Sequence, residues 1–401
     1  MLQLASYQDR SYVTAMTSAH AIADVRHASP IRGALVGLSL SIFLSSLGTS
    51  IANVALPTLT QTLDATFQEA QWVVLAYLLS VTTLVVGAGR LGDIVGRRRL
   101  MLPGILLFTT ASVMCGLAPS LWALVAARAV QGIGAAIMMA LAMAFVGEIV
   151  PKERTGSAMG LLGTMSAIGT ALGPSLGGLM ISEFGWRAIF FVNLPLGLLT
   201  LLLAYRRLPE DRPRSDRPAF DTLGALVLAL TLAAYALAMT SGRGSFGTIN
   251  MGLLVVAVLG VVVFGFVEAR AASPLIRPAQ LRDRGLCAGL ATNALVAAVM
   301  MATLVVGPFY LSGALGLDAV TVGLAMSAGP FVTESAGVPA GRMVDRYGTG
   351  RAAVAGLGAM ALGAGLLAAL PAAFGIAAYL IPIAVLTSGY AWSRRRTTLP
   401  S

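Results

Sequence analysis

The chain has 401 residues, of which 57% are hydrophobic and only 11% charged, with a mean hydropathy of +0.83 and a formal net charge of +10. Average soluble domains carry about 25% charged residues, so this composition excludes a water-soluble protein and implies an all-α integral membrane protein. The basic excess sits in the tails and alternate loops, which makes it a topology signal and leaves nothing for nucleic-acid binding to explain.

Residues 1–30 are mixed and polar, with Arg10, His20, Arg26 and His27 and no apolar core of a signal peptide, and are expected to form a cytoplasmic tail. Apolar runs long enough to cross about 30 Å of hydrocarbon follow at 34–55, 70–89, 100–118, 121–146, 157–180 and 188–205, giving a six-helix half over 31–205. A basic loop, 206–220, leads to an extra central pair of spans, 223–240 and 249–266, within 221–270. After the loop 271–284, runs at 286–310, 319–338, 352–370 and 373–392 make a four-helix second half over 285–392, and 393–401 is a basic tail. Of the 27 Lys and Arg residues, all but Arg128, Arg187 and Arg243 fall on one side of this twelve-span arrangement. Both termini are therefore expected in the cytoplasm of a multi-pass protein of the cell membrane.

The segments 89–99, GRLGDIVGRRR, and 341–351, GRMVDRYGTGR, share Gly, Arg, Asp, Gly and the final Arg at identical spacing. Each follows a span, as expected of two related halves. Gly89 and Gly96 can turn the backbone tightly, Asp93 can cap a helix N-terminus, and Arg97 lies one helical turn from Asp93. With Arg98, and Asp345 in the second copy, these residues read as a charged latch at a cytoplasmic gate; an ordinary positive-inside loop is the alternative.

Arg128 lies seven residues into its span, about 10 Å deep at 1.5 Å per residue, where a central arginine costs roughly 2.5–3.5 kcal/mol on insertion scales. It needs a partner or a wet cavity, and Gln131 is one turn along. Either it couples proton and substrate, or it is a structural arginine bonded to backbone carbonyls. Glu334, within the tenth span, is the carboxylate placed to carry a proton, unless it reaches the cytoplasmic interface near Arg342.

The stretch 160–178, GLLGTMSAIGTALGPSLGG, sets Gly163, Ser166, Thr170, Gly173, Pro174 and Gly177 on one face at 100° per residue. Such a face permits close helix approach, and Pro174 frees the Thr170 carbonyl to bend the span. It reads as a hinge-like contact where the halves seal and rock, with simple tight packing as the alternative.

Enzyme chemistry finds no support. GPSLG at 173–177 lacks a strand–turn–helix setting and a histidine partner; GRGSFG at 242–247 lacks a flanking strand. Cys115 and Cys287 sit in apolar runs without redox or metal spacing. No metal site, cofactor or ATP site is expected, and an ion gradient is the expected energy source.

Gly89, Leu91, Asp93, Gly96, Arg97 and Arg98 resemble the cytoplasmic loop signature of the major facilitator superfamily. RAVQGIGAA, 128–136, resembles the fourth-span motif of its proton-coupled exporters. Gly160, Gly169, Gly173, Pro174, Gly177 and Gly178 resemble its antiporter motif. WRAIFFVNLPLG (186–197), NVALP (53–57) and the central pair resemble the 14-helix drug:proton antiporter branch, the EmrB/QacA type. The resemblance implies the major facilitator fold, with about 12 of an expected 14 transmembrane helices present, and proton-coupled efflux of small hydrophobic molecules or drugs by alternating access. The implied partners are the lipid bilayer, such a substrate, the proton and, as a further candidate, an accessory envelope protein. It also implies an acidic residue where this chain has Gly48, a departure that bears on cationic drugs. The turn to WSRRRTTLPS after Ala391 reads as a truncation, so a transport-inactive remnant or an accessory membrane protein of the same family is the competing expectation.

Overall fold

The computed structural model describes residues 2–211, 222–240, 247–271, 284–336, 346 and 349–394, with side chains from residue 32 onward apart from a few positions, Glu334 among them. Asp345 and the rest of the second latch copy before Arg346 lie outside the described residues, as does the Glu334 side chain. The first half comprises α1 (Leu2–Thr62), α2 (Phe67–Val95), α3 (Arg97–Leu117), α4 (Leu121–Ile149), α5 (Lys152–Phe184), the single turn α6 (Ala188–Phe191) and α7 (Asn193–Arg207). Next come α8 (Thr222–Thr240) and α9 (Thr248–Arg270), then α10 (Arg284–Phe309) with a π-helical turn at Tyr310–Ala314, α11 (Ala319–Ser335), α12 (Thr349–Ala369) and α13 (Ala377–Arg394).

Among the described residues, ten helices are long and apolar enough to cross a membrane, and the apolar segments Ala319–Thr333 and Ala377–Trp392 are shorter. Every expected span thus corresponds to a helix. The expected tail differs: the backbone of 2–31 continues α1, in a run with no glycine before Gly33.

Local chemistry sets the helix ends. Thr66 and Glu69 form a capping box on α2, with the Thr66 amide donating to Glu69 Oε2 at 2.9 Å. Ser120 caps α4 by accepting from the Ala123 amide. Asp318, in the loop before α11, accepts from Thr321 Oγ1 at 2.5 Å, a bond that holds its carboxyl below the usual range. Between α2 and α3 the chain turns on Gly96 alone, at φ 112°, where a side chain would be strained.

Helix α5 lies along α1 and crosses α11, so it contacts both halves. Helices α8 and α9 pack on each other and α8 on α2, while α9 presents Val255, Val258, Val262 and Phe266 outward as a lipid-facing surface would. Toward the end carrying the 63–66 and 315–318 loops, one apolar cluster unites Leu47, Ile51 and Leu59 of α1 with Leu311, Val322 and Tyr379 of the second half. Phe67 meets Phe309 edge to face there, ring centroids 4.6 Å apart. The halves are sealed at that end.

Candidate functional site: a central cavity, a buried arginine and a charged latch

Between the halves lies a cavity of about 570 Å³, a size typical of small-molecule sites. Its walls come from α1, α4 and α5 on one side and α10, α11 and α13 on the other. Ser166, Thr170, Thr303 and Thr387 supply polarity, and Tyr379 and Tyr390 supply rings. The cavity reaches toward the end bearing Arg97–Arg99, where Met143 and Met159 are exposed.

Arg128 and Gln131 are brought together, away from this wall. Arg128 is fully buried between α2, α3 and α4. Its Nε donates to Val73 O at 2.9 Å and its Nη1 to Gln131 Oε1 at 2.6 Å. Its guanidinium carbon lies 4.2 Å from the centre of the Tyr77 ring, a cation–π stack. Gln131 Nε2 donates to Ser112 Oγ at 2.6 Å, and Tyr77 Oη donates to Ser45 O at 2.7 Å. Nη2 of Arg128 has no hydrogen-bond partner among the described residues. This network ties α1, α2, α3 and α4 into one polar core, where low polarity strengthens each bond. The expectation that Arg128 requires a partner or a wet cavity resolves, in this geometry, toward partners.

Gly48 also faces this interior. A Cβ there would lie 3.3 Å from Phe108 Cζ and 3.4 Å from Tyr77 Oη, so an acidic side chain at 48 would point toward Tyr77 and away from the cavity.

In the first latch copy, Arg97 donates from Nη2 and Nε to Asp93 Oδ1 at 2.9 and 3.1 Å. Its Nη1 reaches Glu148 Oε2 at 2.9 Å and the Ala144 carbonyl at 2.7 Å. Arg97 thus clamps the end of α2 to the end of α4. Two details correct the sequence reading. Gly89 sits inside α2, so only Gly96 makes the turn. Asp93 is occupied by Arg97, and the cap on α3 comes from Asp211, which accepts from the Arg98 and Arg99 amides at 2.8 and 3.0 Å. Asp211 fills the space a side chain at position 96 would need. Arg98 in turn donates to Tyr205 O at 2.6 Å and stacks over that ring at 5.6 Å. Neither Glu148 nor Asp211 was legible as part of the latch; the only local signal was a carboxylate next to a basic loop. Asp211→Ala is expected to lower stability by about 0.5–2 kcal/mol, the usual loss of a helix cap, readable as a lower unfolding temperature in detergent.

The glycine stretch divides its work. A Cβ on Gly169 would lie 2.7 Å from Phe43 O; one on Gly173 would collide with Ser50 Oγ, and one on Gly177 would lie 2.7 Å from Val54 Cγ1. All three contacts are with α1, in the same half. Gly178 and Pro174 instead meet α11: a Cβ on Gly178 would collide with the Ala319 carbonyl, and one on Gly323 with the Pro174 carbonyl. The Ser175 amide donates to Ser327 Oγ at 3.1 Å across the same crossing. A Cβ on Gly160 would meet no other element within 4 Å among the described residues, and Gly163, Ser166 and Thr170 line the cavity. The single face expected to seal the halves is thus split. Its first part borders the cavity and its centre packs within one half, while the contacts between halves come from Pro174 together with its neighbours Ser175 and Gly178. Helix α5 runs unbroken through Pro174.

The sequence of residues 38–394 matches the family model described as Major Facilitator Superfamily. The chain belongs to that superfamily. Its members are transporters, not enzymes, and this is a multi-pass membrane protein with the superfamily's all-helical fold. Among curated relatives, the uncharacterized transporter YebQ of Escherichia coli is 33% identical over 341 residues, covering 85% of this chain and 75% of YebQ. The multidrug resistance protein Stp of Mycobacterium tuberculosis is 33% identical over 334 residues, covering 82% of this chain and 62% of Stp. The tetracenomycin C resistance and export protein of Streptomyces glaucescens is 30% identical, and the chain again spans 62% of its length. Among solved structures, an inward-facing bacterial homolog of the lysosomal transporter Spinster aligns with a TM-score of 0.63 at 16% identity, over 91% of this chain and 74% of that one.

Proposed function

We propose that the chain is a secondary transporter of the 14-helix drug:proton antiporter branch, exporting small hydrophobic molecules against proton entry. The observation that carries this reading is the central cavity, walled by both halves, sealed at one end by the Gly178–Ala319 and Pro174–Gly323 approaches and reaching the other end beside the Arg97 clamp. Rocking of two halves about such a site is the general basis of alternating access. The latch of Gly89, Asp93, Gly96, Arg97, Arg98 and Asp345 serves as the cytoplasmic gate, and both termini lie in the cytoplasm. Arg128 and Gln131 act on coupling through the α1–α4 core, and Glu334 carries the proton. The proton gradient supplies the energy, with no bound cofactor, and the export function named for the tetracenomycin C protein supports the direction.

The competing reading is a transport-inactive or accessory member of the same family. Reconstitution separates the readings. Purified chain in proteoliposomes is expected to move a hydrophobic dye against its gradient only while a proton gradient is maintained. Transport unchanged by an uncoupler would refute proton coupling, and no transport at all would favour the second reading.

A further inference from the structure

Six methionines converge on the central cavity: Met139 and Met143 from α4, Met159 from α5, Met300 and Met301 from α10, and Met326 from α11. Each half supplies three. Methionine is unbranched and polarisable, adapts to varied shapes and makes favourable sulfur–aromatic contacts. A cavity needing one rigid apolar fit would be better specified by leucine and isoleucine, whose rotamers are better defined.

The hydroxyls point the same way. Thr170 Oγ1 donates to Ser166 O at 3.0 Å, Thr303 to Met300 O at 2.8 Å, Thr333 to Gly329 O at 3.0 Å and Thr387 to Ile383 O at 2.7 Å. Ser166 is paired with Ser46 at 2.8 Å. Each threonine proton is held within its own helix, so these groups offer the cavity methyls and acceptor lone pairs but few donors. Among the described lining residues none is ionisable at neutral pH. A charged guest would leave water without a counter-charge, which is costly, whereas a neutral ring system would meet sulfur, ring faces and acceptors.

Resting on the transporter reading, we propose that this cavity selects uncharged, polarisable aromatic molecules bearing hydrogen-bond donors at their rim, and discriminates against organic cations of the same shape.

The test uses the purified chain in nanodiscs, with empty nanodiscs as the blank. Its probes are 2-(hydroxymethyl)anthraquinone and the trimethylammoniomethyl analogue on the same tricycle. Equilibrium dialysis is expected to give at least tenfold tighter binding of the neutral probe. The double variant Met143→Ala/Met301→Ala, two exposed positions whose truncation spares the core, is expected to weaken it at least fivefold with the unfolding temperature unchanged. Equal or tighter binding of the cation overturns the proposal, as does neutral-probe binding indifferent to both methionines. Because binding is read without a gradient, loss of uncoupler-sensitive transport with this selectivity intact would defeat the transporter reading alone. Uncoupler-sensitive export of the cation in preference to the neutral probe would defeat the selectivity alone.

Discussion

Leucine at Gly178 or at Gly323 is expected to reduce transport at least tenfold while the protein still inserts and folds. At this crossing the Pro174 and Ala319 carbonyls stand where a Cβ would go, so the obstacle is backbone and cannot rotate aside. Forcing larger groups into tight packing costs about 1–3 kcal/mol, and here the cost falls only on the state in which α5 and α11 touch. A penalty of that size shifts a two-state population by roughly five- to 150-fold. Spin labels on the exposed Asp64 and Asp318, at the sealed end, should report a larger mean separation in either variant. Gly173→Leu should behave differently, because its obstacle, Ser50, belongs to α1 of the same half. It is expected to lower the unfolding temperature and the yield of folded protein. Full transport by both crossing variants would remove the α5–α11 contact from the cycle.

Arg128→Lys is expected to lose at least tenfold in transport per folded molecule, although the charge is kept. The guanidinium donates in two directions, to Val73 O and Gln131 Oε1, while its carbon sits 4.2 Å from the centre of the Tyr77 ring. An ammonium group is a compact point charge and cannot reproduce that fork and stack together. Arg128→Met removes the charge and leaves Gln131 Oε1 with only the weak Cys115 Sγ donor at 3.9 Å, a loss of about 1–3 kcal/mol for a buried polar group so poorly satisfied. Adding Gln131→Leu should recover part of that stability without restoring transport. If Arg128→Lys kept full transport at a lowered unfolding temperature, Arg128 would be a structural residue and nothing more.

Much of the architecture was legible before any coordinates. Hydropathy locates the twelve helical segments because a bilayer demands long apolar runs, and the Gly96 turn with its Asp93–Arg97 pair is local chemistry within five residues. What stayed hidden depends on residues far apart in the chain. Glu148 meets Arg97 across 51 positions and Asp211 meets the Arg98 amide across 113. Such pairings follow from how α2, α4 and the end of α7 are placed, which no spacing rule encodes. Arg128 illustrates the same limit. Its depth in the span was readable and its cost arguable, yet which way it faces depended on the rotation of α4 against α2 and α3.

The glycine stretch marks the boundary most clearly. By itself the sequence determined that α5 carries a face of small residues, and that a chain so apolar and so asymmetric in its basic loops is a multi-pass helical membrane protein. Only the tertiary structure decided what that face does, because a missing side chain means nothing until a neighbour occupies the space. Where a Cβ would go, the neighbour at Gly173 is Ser50 of α1 and at Gly178 the Ala319 carbonyl of α11, while at Gly160 none of the described residues comes within 4 Å.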